Sequence, residues 1–447
     1  MQLSKYTLTD DISSDMQIVI STVSNAAVVL PRAFLEKILL QMDREEISEE
    51  EMEWITELRK MHIIVDDSEH DRALIRAAIR NALMHMSRTL VVAVCPTLDC
   101  NLACPYCYEW QQRRPGAMTD TVAEATVGFV ERALRHFRPQ ELVLHIYGGE
   151  PLLYPDISLD ITRRVADMAK AQDGMGFSLH VTTNGVLATS ETMAHFAKYS
   201  CIPGKKGLSV QVTIDGPPSI HDKRRKTLDG LGTYETIIAN CLALEEDWQL
   251  SLRVNLDTET KPSVRTLSRE LAKLPWKKKP HLYFSPTQKC NTSHDRNCFA
   301  VKEWDEELSS AWRDAAEYGW DTCSHMRYGL CSYHSGTVFL IDPVGYLYTC
   351  QAFVGNEKMA IGNVYSAPDD FLPTYFKQTH SNLWETCLDT CELLPYCAGG
   401  CRSYAYFDGK INEIYCMKDM LRQAALSYYK FKYKDAIDEF CSKVVHV

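Results

Sequence analysis

The sequence predicts an α/β protein whose central part consists of six consecutive strand–helix units. Apolar strand patterns alternate with amphipathic helical stretches from Thr89 onward, which is typical of parallel βαβ units packed as an open sheet or as a barrel. The composition, with 45% hydrophobic and 24% charged residues, is that of a globular protein. Six units are two short of a full eightfold barrel. The predicted strands are Thr89–Val94, Leu142–Tyr147, Ser178–Thr182, Gly207–Ile214, Leu250–Asn255 and His281–Pro286.

The chain is expected to divide into three domains, in keeping with a length of 447 residues. A small α+β domain is expected over residues 1–88, the strand–helix units over 89–320 and a cysteine-rich region over 321–447. The last region lacks long apolar periods, so its folding is expected to depend on bound metal. Outside the central part, we predict strands at Met16–Ile20, Ala26–Leu30 and His62–Val65, and helices near Arg32–Met42, Ser48–Lys60 and from Met417 to about Phe440. Thr119, Ser190 and Thr233 are predicted to cap helices of the central part.

Net charge and cysteine content narrow the possible functions. The formal net charge is −11, which argues against nucleic acid or an anionic membrane surface as the main partner. No signal segment opens the chain and no apolar run could span a bilayer, so a cytoplasmic location is expected. Thiols rarely pair in the reducing cytosol. The 17 cysteines are therefore expected to be metal ligands or buried residues.

Three cysteines lie close together directly after the first predicted strand. Cys100, Cys104 and Cys107 form the pattern C-x3-C-x2-C. Three thiolates on a short loop can hold three irons of a [4Fe-4S] cluster and leave the fourth iron open, and an open position is where a metal acts on a bound molecule. A simple electron carrier has four cysteine ligands instead, and Cys95 lies within the strand, where it is poorly placed to be the fourth. On spacing alone, a zinc site or free thiols remain alternatives.

This motif at the end of the first strand resembles that of the radical S-adenosylmethionine (radical SAM) superfamily. The resemblance implies a partial (β/α)6 TIM-type barrel in which S-adenosylmethionine chelates the open iron. It also implies that the reduced cluster cleaves this cofactor to methionine and a 5′-deoxyadenosyl radical. Tyr106 matches the family's aromatic residue beside the adenine. The turn Gly148-Gly149-Glu150 after the second strand matches the motif for the amino group of the cofactor.

Polar residues at the ends of the later strands also fit the cofactor side of such a barrel. The carboxyl ends of parallel strands face the mouth, where β/α barrels build their sites. The basic segment 221–225 either positions a carboxylate or forms a solvated loop. The residues assigned to the cofactor side are Thr183, Asn184, Gln211 and Arg253, with Asp215 and Asn255 beside two of them.

A second cysteine pattern extends from Cys331 to Cys416. Thirteen residues separate Cys331 from Gly345 and four separate Gly345 from Cys350, and a run of four cysteines follows with gaps of three, five and three residues. The pattern resembles the SPASM domain, the auxiliary-cluster extension of peptide-modifying radical SAM enzymes, which has a first gap of two in that run. A pair of zinc sites is the alternative.

The SPASM resemblance implies two auxiliary [4Fe-4S] clusters, and therefore three clusters in the whole chain. The nearer cluster would use Cys323, Cys331, Cys350 and Cys401, and the farther one Cys387, Cys391, Cys397 and Cys416. The other six cysteines are expected to be buried structural thiols, with a substrate contact as the alternative for Cys290 or Cys298. They are Cys95, Cys201, Cys241, Cys290, Cys298 and Cys441.

Three functions fit these patterns. The first is a peptide maturase that installs a thioether or carbon–carbon crosslink in a ribosomally made precursor. The second is an anaerobic sulfatase-maturing enzyme, and the third a non-enzymatic iron–sulfur carrier, which the open iron site disfavours. Sulfatase-maturing enzymes typically carry an Asp after the cysteine that corresponds to Cys350, where this chain has Gln351, and an amide is not a general base.

The first domain resembles leader-recognition domains, which bind a leader peptide as an added strand. The expected partners are this leader-bearing peptide and an external reductant of the flavodoxin or ferredoxin type.

Overall fold

The computed structural model describes residues 1–41, 47–200, 208–245, 247–290, 292–321, 331–379, 382–435 and 437–438. Its N-terminal part comprises β1 (Gln2–Leu3), β2 (Thr7–Asp11), β3 (Met16–Ser21), β4 (Ala27–Pro31), α1 (Arg32–Gln41), α2 (Glu49–Lys60), β5 (Ile64–Val65) and α3 (Ser68–Ser87). The strands β2-β3-β4 form an antiparallel sheet in that order, and β1 pairs with β5. The predicted strands and the first two helices are confirmed, whereas β1, β2 and α3 were not predicted.

The central part consists of six parallel strands and the helices that connect them, as predicted. Its elements are β6 (Thr89–Val94), α4 (Asp120–Phe137), β7 (Glu141–Ile146), α5 (Pro155–Lys170), β8 (Gly176–Thr183), α6 (Ser190–Ala197), β9 (Leu208–Thr213), α7 (Pro218–Arg224), α8 (Tyr234–Ala243), β10 (Gln249–Leu256), α9 (Val264–Ala272), β11 (His281–Pro286) and α10 (Trp304–Ala316). All neighbours from β6 to β11 pair in parallel and in sequence order. The α/β fold with a six-stranded partial barrel is confirmed.

The two faces of these strands differ in polarity, because alternate residues of a strand point to opposite faces. One face packs against the helices and is apolar, as Val92, Leu144 and Val210 illustrate. The opposite face carries polar groups such as His145 and Tyr283. The polar face therefore lines the interior of the partial barrel.

The C-terminal part continues the sheet beyond residue 320. Its elements are β12 (Val338–Ile341), β13 (Tyr346–Tyr348), β14 (Gly362–Asn363), α11 (Pro368–Thr379), α12 (Leu394–Cys397), α13 (Arg402–Phe407) and α14 (Lys418–Lys432). Strand β12 pairs in parallel with β6, and β13 and β14 follow it antiparallel, giving a nine-stranded sheet. Phe339, Ile341 and Phe371 are buried in the main core. This part of the cysteine-rich region therefore shares the core of the barrel, which its local sequence pattern did not predict; its expected dependence on metal stays a prediction.

The helix caps agree with the sequence at one of three predicted positions. Thr119 caps α4, and its side chain accepts a hydrogen bond from the N–H of Val122. Thr189 rather than Ser190 caps α6, and the Thr233 hydroxyl donates to the carbonyl of Arg225 at 2.5 Å instead of capping α8. The last predicted helix corresponds to α14, which ends at Lys432; residues 434–435 and 437–438 are again helical, and the end of the predicted range lies outside the described residues. Among the helices described, none is long and apolar enough to cross a membrane.

Candidate cofactor and cluster site

Cys100, Cys104 and Cys107 lie on an irregular loop at the carboxyl end of β6. The loop turns back on itself, since the N–H of Cys107 donates to the carbonyl of Cys104 at 3.3 Å. Arg113 holds the loop by donating to the carbonyls of Cys100 and of Leu102.

The three thiols suit a cationic ligand. All three are unpaired and partly buried, and burial raises the pKa of Cys100 to about 11 and also raises the pKa of the other two. Bound metal deprotonates such thiols and supplies the missing positive charge. The loop therefore fits the three-cysteine cluster site expected from the sequence.

Gly148 and Gly149 lie where the chain after β7 meets the cysteine loop. A Cβ on Gly148 would lie 2.5 Å from the carbonyl oxygen of Thr97, and one on Gly149 would lie 2.2 Å from that of Asp99. The N–H groups of Gly149 and Glu150 donate to these same two carbonyls at 3.1 and 2.8 Å. The two glycines therefore permit a close backbone contact between this turn and the cysteine loop.

The Glu150 carboxylate joins the ends of β7 and β8. It is fully buried and accepts hydrogen bonds from the Thr183 hydroxyl at 2.8 Å and from the N–H groups of Asn184 at 2.7 Å and Leu152 at 3.0 Å. Burial raises its pKa against the opposing effect of these donors. The Asn184 amide nitrogen in turn donates to the Asn101 side chain at 2.7 Å and lies 3.8 Å from the Cys100 sulfur. Three of the predicted cofactor residues are thus assembled beside the cysteine loop.

Tyr106 lies in a buried cluster of charged groups. Its hydroxyl donates to Asp215 and accepts a hydrogen bond from Arg225 at 2.8 Å. The Arg224 guanidinium lies over the ring, 4.8 Å from its centroid, and His294 packs edge-on at 5.6 Å. Burial raises the pKa of the Tyr106 phenol, which keeps it neutral.

The basic segment 221–225 is not a solvated loop, so that alternative is wrong. Residues 221–224 belong to α7 and Arg225 follows directly, and Arg224 and Arg225 are only 3% and 6% exposed. Arg224 donates to Asp257 at 2.7 Å and to Glu259 at 2.6 Å. Arg224 can be buried because two carboxylates pair with it. Arg225 instead donates to the Tyr106 hydroxyl and interacts electrostatically with Asp215.

Asp257 and His294 also belong to this network, although they were not predicted from the sequence. His294 contacts Asp257 at 2.8 Å, and the two residues come close to Glu259 as well. Because Arg224 binds both carboxylates, the group is an ion-pair network. The position of Asp257 directly after β10 was the signal that could have identified it.

Gln211 and Arg253 lie on the inner wall of the barrel rather than at the cysteine loop. The Gln211 side-chain oxygen accepts a hydrogen bond from the Tyr283 hydroxyl at 2.6 Å. Arg253 donates to Asn255 at 3.0 Å and to Ser285 at 3.1 Å. These residues present polar groups to the space enclosed by the strands.

The auxiliary cysteines in the described part of the chain fall into two neighbourhoods. Cys350 interacts electrostatically with Cys331 and Cys401. Cys397 interacts with Cys391, Cys387 and Cys416. The two sets coincide with those implied by the sequence resemblance, and Cys323 lies outside the described residues.

The remaining cysteines in the described ranges are buried, as expected. They are Cys95, Cys241, Cys290 and Cys298, whereas Cys201 and Cys441 lie outside those ranges.

Sequence comparisons identify a domain that fits this geometry. Residues 94–261 match the family model of the radical SAM superfamily. The serine-type anaerobic sulfatase-maturating enzyme of Klebsiella aerogenes is 23% identical over 329 residues, which cover 68% of this chain and 77% of that enzyme. The enzyme of the same description from Bacteroides thetaiotaomicron is 25% identical over 166 residues, covering 35% of this chain and 37% of that enzyme.

Two groups of solved structures share the fold. The enzyme anSMEcpe, with AdoMet and the Cp18Cys peptide bound, superposes with a TM-score of 0.57 at 18% identity, covering 80% of this chain and 100% of that one. Streptococcus suis SuiB bound to its precursor peptide SuiA superposes with a TM-score of 0.52 at 13% identity, covering 93% of this chain and 99% of that one.

Proposed function

Because the chain is a radical SAM enzyme related to the sulfatase-maturating enzymes, we propose that it is a maturase of a ribosomally synthesised precursor peptide. The proposed product is a thioether or carbon–carbon crosslink. The observation that carries the proposal is the small N-terminal domain, whose β2-β3-β4 sheet has a free strand edge. The likeness to SuiB, which was solved with a precursor peptide bound, extends over 93% of the chain, against 80% for anSMEcpe. The reducing cytoplasm is the proposed location, because unpaired thiols persist there.

The proposed cofactors are three [4Fe-4S] clusters and S-adenosylmethionine. Bound and reduced, the open-site cluster supplies the electron that cleaves S-adenosylmethionine, which yields a radical able to remove hydrogen from a peptide carbon. Cys100, Cys104 and Cys107 would hold this cluster, with Tyr106 and the turn at residues 148–150 positioning the cofactor. Two observations support this assignment: the three cysteine thiols are half-buried, and the turn at residues 148–150 packs tightly on the cysteine loop. A flavodoxin- or ferredoxin-type protein is the proposed electron donor.

The proposed docking site for the leader is the free edge of β4. In the register between β3 and β4, the N–H groups of Val28 and Leu30 face β3, so those of Ala27 and Val29 face outward. Among the described strands, none pairs with this edge. An extended leader peptide could add there as a fourth strand.

Maturation of a sulfatase is the second candidate, since the sequence relatives are sulfatase-maturating enzymes. That chemistry oxidises a Cys or Ser to formylglycine. Gln351 is exposed and stands at the position where such enzymes typically have an Asp. A neutral amide there could not accept the proton, which favours the first candidate.

Co-expression with short peptides encoded beside the gene, followed by mass spectrometry, distinguishes the two candidates. Crosslinking would appear as the loss of two hydrogens from one of these peptides, because each new bond replaces two bonds to hydrogen. The matched control is the protein with Cys100, Cys104 and Cys107 replaced by Ala, which should leave the peptide unchanged. Conversion only of a peptide carrying a sulfatase motif would overturn the first candidate.

Iron analysis tests the cofactor assignment separately. Anaerobically reconstituted protein should hold about twelve irons, and the triple Ala variant should hold about four fewer. A value near four in the unaltered protein would contradict the auxiliary clusters.

A further inference from the structure

Arg402 is a buried arginine directly after the predicted ligand Cys401. Only 4% of its surface is exposed. Its guanidinium donates to the backbone carbonyls of Ile411 at 3.0 Å and Glu413 at 2.8 Å, and also to those of Gly399 and Gly400. Arg402 therefore joins the loop that ends in Cys401 to the segment that leads to Cys416.

The glycines before Cys401 make this arrangement possible. Gly399 and Gly400 have φ angles of +93° and +89°, in the region that favours glycine. A Cβ on Gly400 would lie 1.9 Å from the carbonyl oxygen of Tyr415. The loop can thus turn sharply where it packs against Tyr415, and its carbonyls point toward Arg402.

The guanidinium of Arg402 has no carboxylate partner among the described residues. Its favourable electrostatic neighbours are Tyr333 and the thiols of Cys401, Cys397 and Cys331. By contrast, the buried Arg224 binds Asp257, and Arg422 binds Glu392. Burying an arginine without a counter-charge is costly, and the cysteines around Arg402 are the groups that could supply negative charge once they bind iron.

We propose that Arg402 is the buried positive charge shared by the two auxiliary clusters and that it stabilises their reduced forms. The inference rests on the proposed function, because that proposal supplies the clusters. Arg402 neighbours Cys331 and Cys401 of the nearer set and Cys397 of the farther set. A [4Fe-4S] cluster with four thiolate ligands is negatively charged and gains one more negative charge when it accepts an electron. A fixed positive charge nearby therefore favours reduction and raises the midpoint potential.

The test is an anaerobic redox titration of the reconstituted holoenzyme, monitored by electron paramagnetic resonance. Arg402→Gln removes the charge and should shift at least one auxiliary midpoint potential to a more negative value. Arg402→Lys keeps the charge but loses the planar set of donors, so its potentials should stay near those of the unaltered protein while its melting temperature falls. Arg422→Gln is the matched control, because its side chain is 32% exposed and solvent therefore screens the charge that it removes, while Lys418 still pairs with Glu392.

The redox titration and the iron content of the variants together test the role of Arg402. Unchanged potentials in Arg402→Gln, or an equal shift in Arg402→Lys or Arg422→Gln, would overturn the inference. If Arg402→Gln loses auxiliary iron, retention of that iron by Arg402→Lys would support a charge role, and equal loss from both variants would show that Arg402 is only a structural clamp. A total near four irons in the unaltered protein would instead overturn the proposed auxiliary clusters on which this inference rests.

Discussion

Gly149 is the residue at which the chain after β7 comes closest to the cysteine loop. Replacing it with Ala would place a Cβ 2.2 Å from the backbone oxygen of Asp99, so the loop must shift. We expect Gly149→Ala to destabilise the protein by about 1–3 kcal/mol or more and to lose the iron of the first cluster. Thermal unfolding and iron analysis measure both effects.

The control for this change is Gly176→Ala. Gly176 has ordinary backbone angles, and an added Cβ would meet its nearest neighbours at 3.5–3.6 Å. Full iron content in the Gly149→Ala protein, or equal losses in both variants, would contradict the close-packing argument.

His145 on the inner wall of the barrel predicts a dependence of stability on pH. Burial lowers the pKa of His145 to about 4, and it also lowers the pKa of the neighbouring His180. The unfolded chain, with an ordinary histidine pKa of about 6.5, binds more protons between these values. The stability present at neutral pH should therefore fall as the pH is lowered from about 6.5 toward 4.

Denaturant unfolding of the unaltered protein and of His145→Gln across this pH range checks the prediction. The variant should show a shallower loss of stability on acidification, because one buried imidazole no longer has to be protonated. His195→Gln, which changes an exposed histidine, is the control. Parallel pH profiles for all three proteins would refute the assignment.

At the level of elements, β4 is the strand whose free edge matters most for the proposed function. Val29→Pro removes an outward N–H while leaving the β3 ladder intact, because Val28 and Leu30 make those hydrogen bonds. We expect the affinity for the leader peptide to fall about threefold to tenfold, because one hydrogen bond contributes a binding free energy of about that size. Fluorescence anisotropy with a labelled leader peptide measures it.

The control for the β4 change is Val29→Thr, which keeps the N–H and a β-branched side chain. Equal leader affinity for the two variants, with unchanged melting temperatures, would rule out strand addition at this edge.

The regular elements differ in how far the sequence predicted them. The six barrel strands were predicted because each has a long apolar face and is followed by a helix. Strand β2 was not predicted because its sequence, Thr-Leu-Thr-Asp-Asp, is mostly polar. Strand β12 was not predicted because it has only 4 residues and is recognisable as a sheet strand only beside β6. Short or polar strands depend on their partners, and local patterns do not contain that information.

In the whole molecule, the N-terminal domain packs onto the segment that carries three of the farther auxiliary cysteines. The Tyr6 hydroxyl donates to the carbonyl of Leu388 at 2.6 Å, and the Thr22 hydroxyl to that of Glu392 at 2.7 Å. Tyr6 and Leu388 also share a small apolar cluster. Contacts of this kind would link the proposed leader-binding domain directly to the farther cluster.

Tyr6→Phe tests this link. It leaves the buried carbonyl of Leu388 without its donor, which should cost about 1–3 kcal/mol. We expect faster amide hydrogen exchange in residues 387–397 and in β2, with exchange in β7–β9 unchanged. Tyr365→Phe, at a residue 60% exposed, is the control. Unchanged exchange in residues 387–397 would show that this contact does not hold the segment.

The sequence by itself determined the cysteine loop, the turn at residues 148–150 and the order of the barrel strands, because these features depend on local spacing and periodicity. Only the tertiary structure decided which distant residues meet. Tyr6 and Leu388 are 382 positions apart, and the burial of Arg224, Arg225 and Arg402 could not be inferred from the residues next to them in the sequence. Burial depends on contacts between elements, and a charged residue inside the protein has the same local sequence signature as one in solvent.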